Sequence, residues 1–321
     1  METIIMTHPD PPIRTYLHYA HPHGILMMNP ERMSWVLNHY IQVRYTKASR
    51  EKERDQLEFD TCIYNFWPVL QCLFIHPNDL IEEGIGIVPF IKKMLDDGYV
   101  VRAVVDEFYI ERRSAYQSFH FIHHIMISGY NEEQAIFYVN GYTDKRRYEM
   151  TISSIANFLK GLELTGKESL AFFKDSGYPY IAQRSIILEQ MVRYVNSVND
   201  DKDRPNAIYG MDAYKLFETR MEEFICCGSI DIRPFHLLYE HKKMMLVRIQ
   251  YMLERQPLCG ELIREYEQIV ELAVTLRNLI LKYELTSKKH ELSRAHWLLC
   301  EIIAREKNFF EQFLDIMEHS C

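Results

Sequence analysis

Residues 120–131, HFIHHIMISGYN, contain three histidines within five positions. Histidine changes its charge near neutral pH, so it can carry protons in catalysis or bind a metal ion. The apolar run that follows His124 predicts a β-strand, in which His123 and His124 point to opposite faces. His120 and His124 would share a face but lie about 13 Å apart on an extended strand, which is too far to share one metal ion.

The next strand-like run, AIFYVNGY, follows a short NEEQ turn and predicts a β-hairpin. A turn centred between the two glutamates places His123 opposite Tyr142 and brings Asn140 diagonally beside His123 on the same face. An amide in that position would hold the imidazole in one tautomer, as a catalytic base requires. The alternative is that His123 and His124 are ordinary residues at a strand start, one of them hydrogen-bonded to the backbone.

The elements around this hairpin combine helices with strands in the first half of the chain. An Asn-Pro-Glu helix start predicts that the first long helix begins near Asn29 and runs through Trp35 into NHYIQVRY. Another helix is predicted over GIVPFIKKMLDDG, with Gly98 as its C-terminal stop. The strand-like runs are YVVRAVVDEFYI, HHIMISGY, AIFYVNGY and RRYEMTIS. A helical segment, ISSIANFLKGLEL, follows the last of them.

Helical periodicity dominates from about residue 181. In the fourth of five helical segments, apolar residues recur at steps of four and three, as on one face of a helix: Leu262, Tyr266, Ile269, Ala273, Leu276 and Ile280. The sequence therefore predicts the α+β class. An antiparallel sheet is expected in a domain of residues 1–175, and an all-helical domain is expected over residues 176–321.

Composition argues against several classes of function. The chain has 321 residues, 47% of them hydrophobic, and its net charge of −8 gives no reason to expect nucleic acid as a partner. The first residues do not resemble a secretory signal and no apolar run approaches about 18 residues, so we expect a cytoplasmic protein without membrane spans. Seven cysteines without CxxC spacing predict reduced thiols and no metal site. Neither GxGxxG nor a P-loop occurs, and no cofactor is expected.

Two consecutive segments carry a resemblance to a known family: DGYVVRAVVDEFYI, and then HFIHHIMISGYNEEQAIFYVNGYTDKRRYEMTIS. They resemble the butirosin biosynthesis protein H-like family, which occurs in nonribosomal peptide and other natural-product gene clusters. The N-terminal domain of that family has a papain-like cysteine-protease fold. The residues that fill the family pattern are Gly98, Asp106, Phe108, Tyr109, His120, His123, Gly129, Tyr130 and Asn131. The resemblance covers about residues 85–160 and implies that the α+β half is papain-like.

The resemblance also implies a reaction. Members of this fold with an assigned activity move an acyl group from a carrier-protein thioester to an amine, or close an amide bond. His123 matches the base of the family and Asn140 its orienting residue, with Asp144 a poorer match because it lies in the following turn. The candidate substrate-binding residues are Asp106, Tyr109, His120 and His23.

The chain departs from the family pattern at the nucleophile. A papain-like fold places its cysteine at the start of the first long helix, where the helix dipole lowers the thiol pKa. No cysteine precedes Cys62 in this chain. Cys62 is the leading candidate because an Asp-Thr pair precedes it and can cap a helix, and Cys72 and Ser34 are weaker candidates. A site without a covalent nucleophile, in which His123 activates the amine directly, also stays open.

Two hypotheses for the function follow. In the first, the protein is an acyltransferase that moves an acyl group from an acyl- or peptidyl-carrier protein to an amine substrate. In the second, it is a catalytically degenerate papain-like protein that binds a carrier protein or a peptide intermediate. A thiol or hydroxyl within hydrogen-bond reach of His123 would distinguish the first from the second. The long amphipathic C-terminal helices could in addition form a homodimer.

Overall fold

The predicted α+β class is confirmed. In the computed structural model, 51% of the chain is helical and 20% is strand, the sheets are antiparallel, and the C-terminal region is helical. The structure describes residues 3–47, 55–61, 66–165, 168–199, 201, 204, 206–221, 230–254 and 259–319.

Strands and helices have the following bounds within the described residues. The strands are β1 (Thr3–Ile5), β2 (Val43–Thr46), β3 (Gln56–Phe59), β4 (Leu70–Ile75), β5 (Val100–Asp106), β6 (Ile122–Asn131), β7 (Ile136–Tyr142), β8 (Tyr148–Ser154), β9 (Leu170–Asp175) and β10 (Ile208–Tyr209). The helices are α1 (Leu17–Leu26), α2 (Met33–Asn38), α3 (Pro77–Glu82), α4 (Ile87–Asp96), α5 (Ile155–Glu163), α6 (Arg184–Val195), α7 (Gly210–Thr219), α8 (Arg233–Leu253), α9 (Cys259–Thr286) and α10 (Lys289–His319).

The chain divides into two units. The first comprises Met1–Met33 and Ile63–Tyr180, and the second comprises Ser34–Cys62 and Ile181–Cys321. Residues 34–62, which were expected in the N-terminal domain, thus belong to the second unit. The proposed boundary between residues 175 and 176 stays a prediction.

A seven-stranded antiparallel sheet forms the framework of the first unit. Its strand order is β4-β9-β5-β6-β7-β8, and β1 pairs with β6. One face carries alternating apolar residues that pack in one core with α4 and α5, among them Val101, Val105, Ile125, Ile127, Val139 and Phe172. The predicted helix α4 is confirmed, and Gly98 follows it with a φ of +83°, the left-handed conformation that a glycine stop adopts.

The hairpin of β6 and β7 is confirmed, but its turn lies further along the chain than predicted. Asn131 pairs with Ile136, so the turn comprises residues 132–135 and is not centred between the two glutamates. Ala135 closes the turn with a φ of +51°, a conformation that residues other than glycine seldom adopt. The sequence gives no signal for this conformation, and the predicted register is therefore wrong.

The corrected register changes which residues share a face of the sheet. Met126 pairs with Asn140, and His124 lies two residues before Met126 on the same strand. Because side chains alternate along a strand, Asn140 shares its face with His124, whereas His123 points to the opposite face. The expected placement of Asn140 beside His123 is wrong.

The first long helix begins at Leu17, so the prediction that it begins near Asn29 is also wrong. Every residue of α1 except His18 is buried, and a helix without a polar face shows no amphipathic periodicity in the sequence. Asn29 does act as a cap, since its side chain accepts a hydrogen bond from the Glu31 amide at 3.1 Å. It caps only a short 3₁₀ turn, which α2 follows, and NHYIQVRY leads into β2 instead of continuing a helix.

Three short strands, in the order β10-β2-β3, and the helices α2 and α6 to α10 form the second unit. The helical character predicted for the C-terminal region is confirmed, but the expected domain of residues 176–321 is not all-helical, because it contains the strand β10. The apolar stripe predicted for α9 forms its buried side, with full burial of Tyr266, Ile269, Ala273, Leu276 and Ile280. No helix among the described residues combines the length and the apolar character that crossing a bilayer requires.

Candidate functional site

His123 forms a couple with a buried glutamate. Its Nδ1 lies 3.0 Å from Oε1 of Glu107, which begins the 3₁₀ turn after β5. The Glu107 side chain is 9% exposed and the His123 side chain is 35% exposed. A carboxylate at Nδ1 fixes the orientation and the tautomer of an imidazole ring. No described residue hydrogen-bonds to Nε2, so this nitrogen is available to a substrate.

A second histidine–carboxylate couple lies next to the first. Nδ1 of His120 lies 2.5 Å from Oδ2 of Asp106, and the other carboxylate oxygen accepts hydrogen bonds from the amides of Phe108 and Phe121. Burial opposes ionisation of Asp106, but the hydrogen bonds from His120 and from the two amides outweigh it and lower the pKa of this carboxyl. Asp106 therefore holds the turn that carries Glu107 and the segment that leads to His123. Both of its carboxylate oxygens already accept hydrogen bonds from the protein itself.

The other predicted substrate-binding residues differ in their surroundings. Tyr109 is half-buried, and its ring centroid lies 6.4 Å from that of His120, so it flanks the second couple. His23 is fully buried in α1, with its Nδ1 3.3 Å from the carbonyl oxygen of Ile13. A substrate at the protein surface does not reach such a ring, so the structure does not support the prediction for His23.

Asn140 is buried on the face of the sheet opposite to His123. Its Oδ1 accepts a hydrogen bond from the Ser128 hydroxyl at 2.7 Å, and both residues are buried. Asp144, the poorer candidate, is an exposed residue in the turn after β7. Glu107, and not either of these residues, therefore occupies the position of an orienting partner for His123.

His124 lines a cleft of about 280 Å³ beside the place where β5 and β9 stop pairing. Arg102 donates a hydrogen bond from Nη2 to Nε2 of His124 at 2.8 Å. Burial, and then the charge of Arg102, lower the pKa of His124 to about 3, so the ring is neutral at pH 7 and can accept this hydrogen bond. Phe74 and Glu168 also line the cleft.

The face of the sheet beneath α1 carries further buried basic groups. His21 of α1 is fully buried, and neither of its ring nitrogens has a hydrogen-bond partner among the described residues. Burial, and then the charges of Arg102, His124 and Arg113, lower the pKa of His21 well below its ordinary value. The Tyr148 ring centroid lies 6.1 Å from that of His21. The surroundings of the neutral His21 therefore include two buried arginines, Arg102 and Arg113, and the neutral His124.

The neutral state of His124 predicts a loss of stability in acid. The unfolded chain protonates this side chain near the ordinary pKa of 6.5, whereas the folded protein does so only near pH 3. The contribution of the neutral His124 to the free energy of unfolding is fully present above pH 6.5. It decreases as the pH falls below this value, by at most about 1.4 kcal/mol per pH unit.

The His124→Gln variant can still accept a hydrogen bond from Arg102. The free energy of unfolding, measured with urea, should decrease less for this variant than for the wild type when the pH is lowered from neutral to about pH 4. Equal decreases in the two proteins would contradict this expectation.

No thiol or hydroxyl of the described residues is hydrogen-bonded to His123. α1 begins at Leu17, and neither a cysteine nor a serine stands at its start. Cys62 lies outside the described residues. Cys72 is on β4, three strands away from β6 and so at least about 14 Å from His123, and burial raises its pKa to about 11. Ser34 belongs to the second unit.

Sequence reasoning missed Glu107 and Arg102. Glu107 is one of two consecutive acids at the end of β5, and acids at a strand end are commonly exposed to solvent. The signal in the sequence is that these two acids precede His120 and His123, which antiparallel pairing of β5 with β6 brings next to residues 106–107. Arg102 lies inside an apolar strand run, and a charged residue at such a position indicates a buried polar contact.

Comparisons with known proteins find no match: no protein-family model and no curated protein matches this chain. A proposal for its function therefore rests on the residues and contacts of the chain itself, and on the resemblance carried by about residues 85–160.

Proposed function

We propose that the first unit is a papain-like domain that forms amides in cytoplasmic natural-product biosynthesis. It transfers an acyl group from a carrier-protein thioester to an amine. The observation that carries the proposal is the couple of His123 and Glu107, in which a buried carboxylate holds Nδ1 and leaves Nε2 open. This is the arrangement that a general base requires. His123 is also the residue that matches the base of the resembling family.

The reaction in this proposal is direct aminolysis of the thioester. The amine nitrogen attacks the carbonyl carbon and forms the C–N bond, and the C–S bond then breaks. Nε2 of His123 takes the proton that the amine loses and delivers it to the departing thiolate. Glu107 stabilises the imidazolium ring between the two proton transfers. The lack of a thiol or hydroxyl bonded to His123 among the described residues supports a route without an acyl-enzyme.

The surroundings of His123 suit a substrate with an apolar arm. Phe119, Phe121 and Ile122 are exposed on the segment that leads into β6. The Phe121 ring centroid lies 5.0 Å from that of His123 and 6.4 Å from that of Phe119. Exposed apolar groups next to a reactive nitrogen commonly mark a binding surface. They would hold the acyl chain, or the pantetheine arm of the carrier, with the thioester next to Nε2.

Amide formation is the direct test of this function. The full-length protein would be incubated with acyl-pantetheine thioesters, free or on a carrier protein, together with a panel of amines. We expect mass spectrometry to show an amide product that forms faster with the protein than in buffer or with the His123→Ala variant. A protein that accelerates none of the thioester–amine pairs would contradict the proposal.

Binding without catalysis is the second candidate function, and the start of α1 favours it. The resemblance implies a cysteine at the start of the first long helix, whereas α1 begins at Leu17, whose side chain cannot act as a nucleophile. A degenerate domain of this kind would bind a loaded carrier protein and present it to another enzyme. Equal binding of the loaded carrier by the wild type and by His123→Ala, with turnover by neither, would identify this function.

A further inference from the structure

Helices α7 and α10 of the second unit bring together three side chains of the types that bind transition metals. Glu218 lies near the end of α7, and His296 and Cys300 lie one turn apart on α10. Residues at this spacing share a face of a helix. One donor atom from each of the three side chains lies within 4.8 Å of the other two.

The Sγ–Oε1 separation of this cluster matches that in a metal site, and the other two separations differ from it by at most about 0.5 Å. Sγ of Cys300 lies 3.5 Å from Oε1 of Glu218 and 3.8 Å from Nδ1 of His296, and Nε2 of His296 lies 2.8 Å from the same carboxylate oxygen. Ligands of a tetrahedral zinc ion, with bonds of about 2.0 to 2.3 Å, are separated by about 3.3 to 3.6 Å. A rotation of the half-buried His296 ring would present a single nitrogen to the other two ligands.

We propose that Glu218, His296 and Cys300 bind one Zn²⁺ ion, with a water molecule in the fourth position. Zn²⁺ accepts sulfur, imidazole and carboxylate ligands in one tetrahedral site, whereas Mg²⁺ and Ca²⁺ take oxygen ligands. All three residues are half-buried, so the ion can enter from solvent. The bound ion would link α7 to α10 inside the second unit.

Cobalt substitution tests this site, because a thiolate bound to Co²⁺ gives a charge-transfer band in the near ultraviolet. We expect the metal-free, full-length protein to develop this band with one equivalent of Co²⁺ and to lose it when Zn²⁺ is added. The Cys300→Ser variant should give no band, and His296→Ala should weaken Co²⁺ binding at least about tenfold. Zinc should raise the melting temperature of the wild type more than that of Cys300→Ser.

Two controls separate this site from other thiols and imidazoles of the chain. Cys72→Ser changes a cysteine of the first unit, and His290→Ala changes an exposed histidine at the start of α10. Both variants should keep the band and the affinity of the wild type. Any of three results would overturn the proposal: a band that persists in Cys300→Ser, a Co²⁺ affinity unchanged in His296→Ala, or a wild type without a band. The three side chains would then only be hydrogen-bonded to one another. Circular dichroism would verify that each variant is folded.

Discussion

The His123→Ala variant is expected to form amide about 100 to 10,000 times more slowly than the wild type, because positioned general bases contribute accelerations of this size. No described residue hydrogen-bonds to Nε2 of His123, so this nitrogen is the one that the substitution removes from the site. The ring is partly exposed, so its removal should leave the core of the first unit intact. The measurement is kcat/KM for the best thioester–amine pair, with thermal unfolding as the check on folding.

The Glu107→Gln variant separates the role of the carboxylate from that of the ring. The glutamine keeps nearly the same shape but lacks the charge that stabilises the imidazolium, and we expect at least about a tenfold loss of kcat/KM. His76→Asn is the matched control in the first unit. The His76 side chain caps α3 by accepting a hydrogen bond from the Asn78 amide at 3.2 Å, and asparagine is an equally suitable cap.

Three results would contradict this account of the base. The first is wild-type turnover by a folded His123→Ala variant. The second is a Glu107→Gln variant that matches the wild type, since the carboxylate would then have no part in the reaction. The third is a loss in His76→Asn as large as that in His123→Ala, which would indicate a general effect on the first unit.

The Glu306→Gln variant is expected to lower the free energy of unfolding by about 3 to 5 kcal/mol, because it leaves a buried ammonium group without its counter-charge. Lys242 and Glu306 are both buried in the second unit, and Nζ lies 2.6 Å from Oε2. Tyr194 and Tyr266 donate hydrogen bonds to the same carboxylate at 2.8 and 2.6 Å. A neutral amide cannot replace this set of charge-assisted bonds.

Glu311→Gln is the matched control for this prediction. Glu311 lies on the same helix and pairs with Lys307 at 3.9 Å, but both side chains are exposed, so the change should cost less than about 0.5 kcal/mol. Urea unfolding of both variants measures the difference. The double variant Lys242→Met/Glu306→Leu should recover much of the loss, because it removes both buried charges. A Glu306→Gln variant as stable as Glu311→Gln would contradict the expected role of the pair.

Local signals in the sequence were sufficient for part of the fold. The amphipathic pattern of α4, the β-branched run of β5 and the stripe of α9 each predict their element without tertiary information. α1 was missed because nearly all of its residues are buried. The sequence does not predict β9, because a short apolar run does not distinguish a strand from a buried helix. In the structure, β9 lies between β4 and β5 in the sheet.

Only those residues of the candidate site that a single segment of sequence identifies could be predicted. His123 stands out through its position at the start of a strand and through its match to the family. Its partner Glu107 depends on the pairing of β5 with β6, and the exclusion of Asn140 depends on the conformation of Ala135 in the turn. The Glu218, His296 and Cys300 cluster requires α7 to pack against α10, and no spacing rule connects residues so far apart in the chain.

Chemical rescue by imidazole can show whether His123 is the general base. The His123→Ala variant would be assayed for amide formation with and without imidazole in solution, beside the wild type. We expect the variant to be nearly inactive alone and imidazole to restore its turnover in proportion to concentration, because the small base occupies the space left by the ring. A folded variant that forms amide as fast as the wild type without imidazole would show that His123 is not the base.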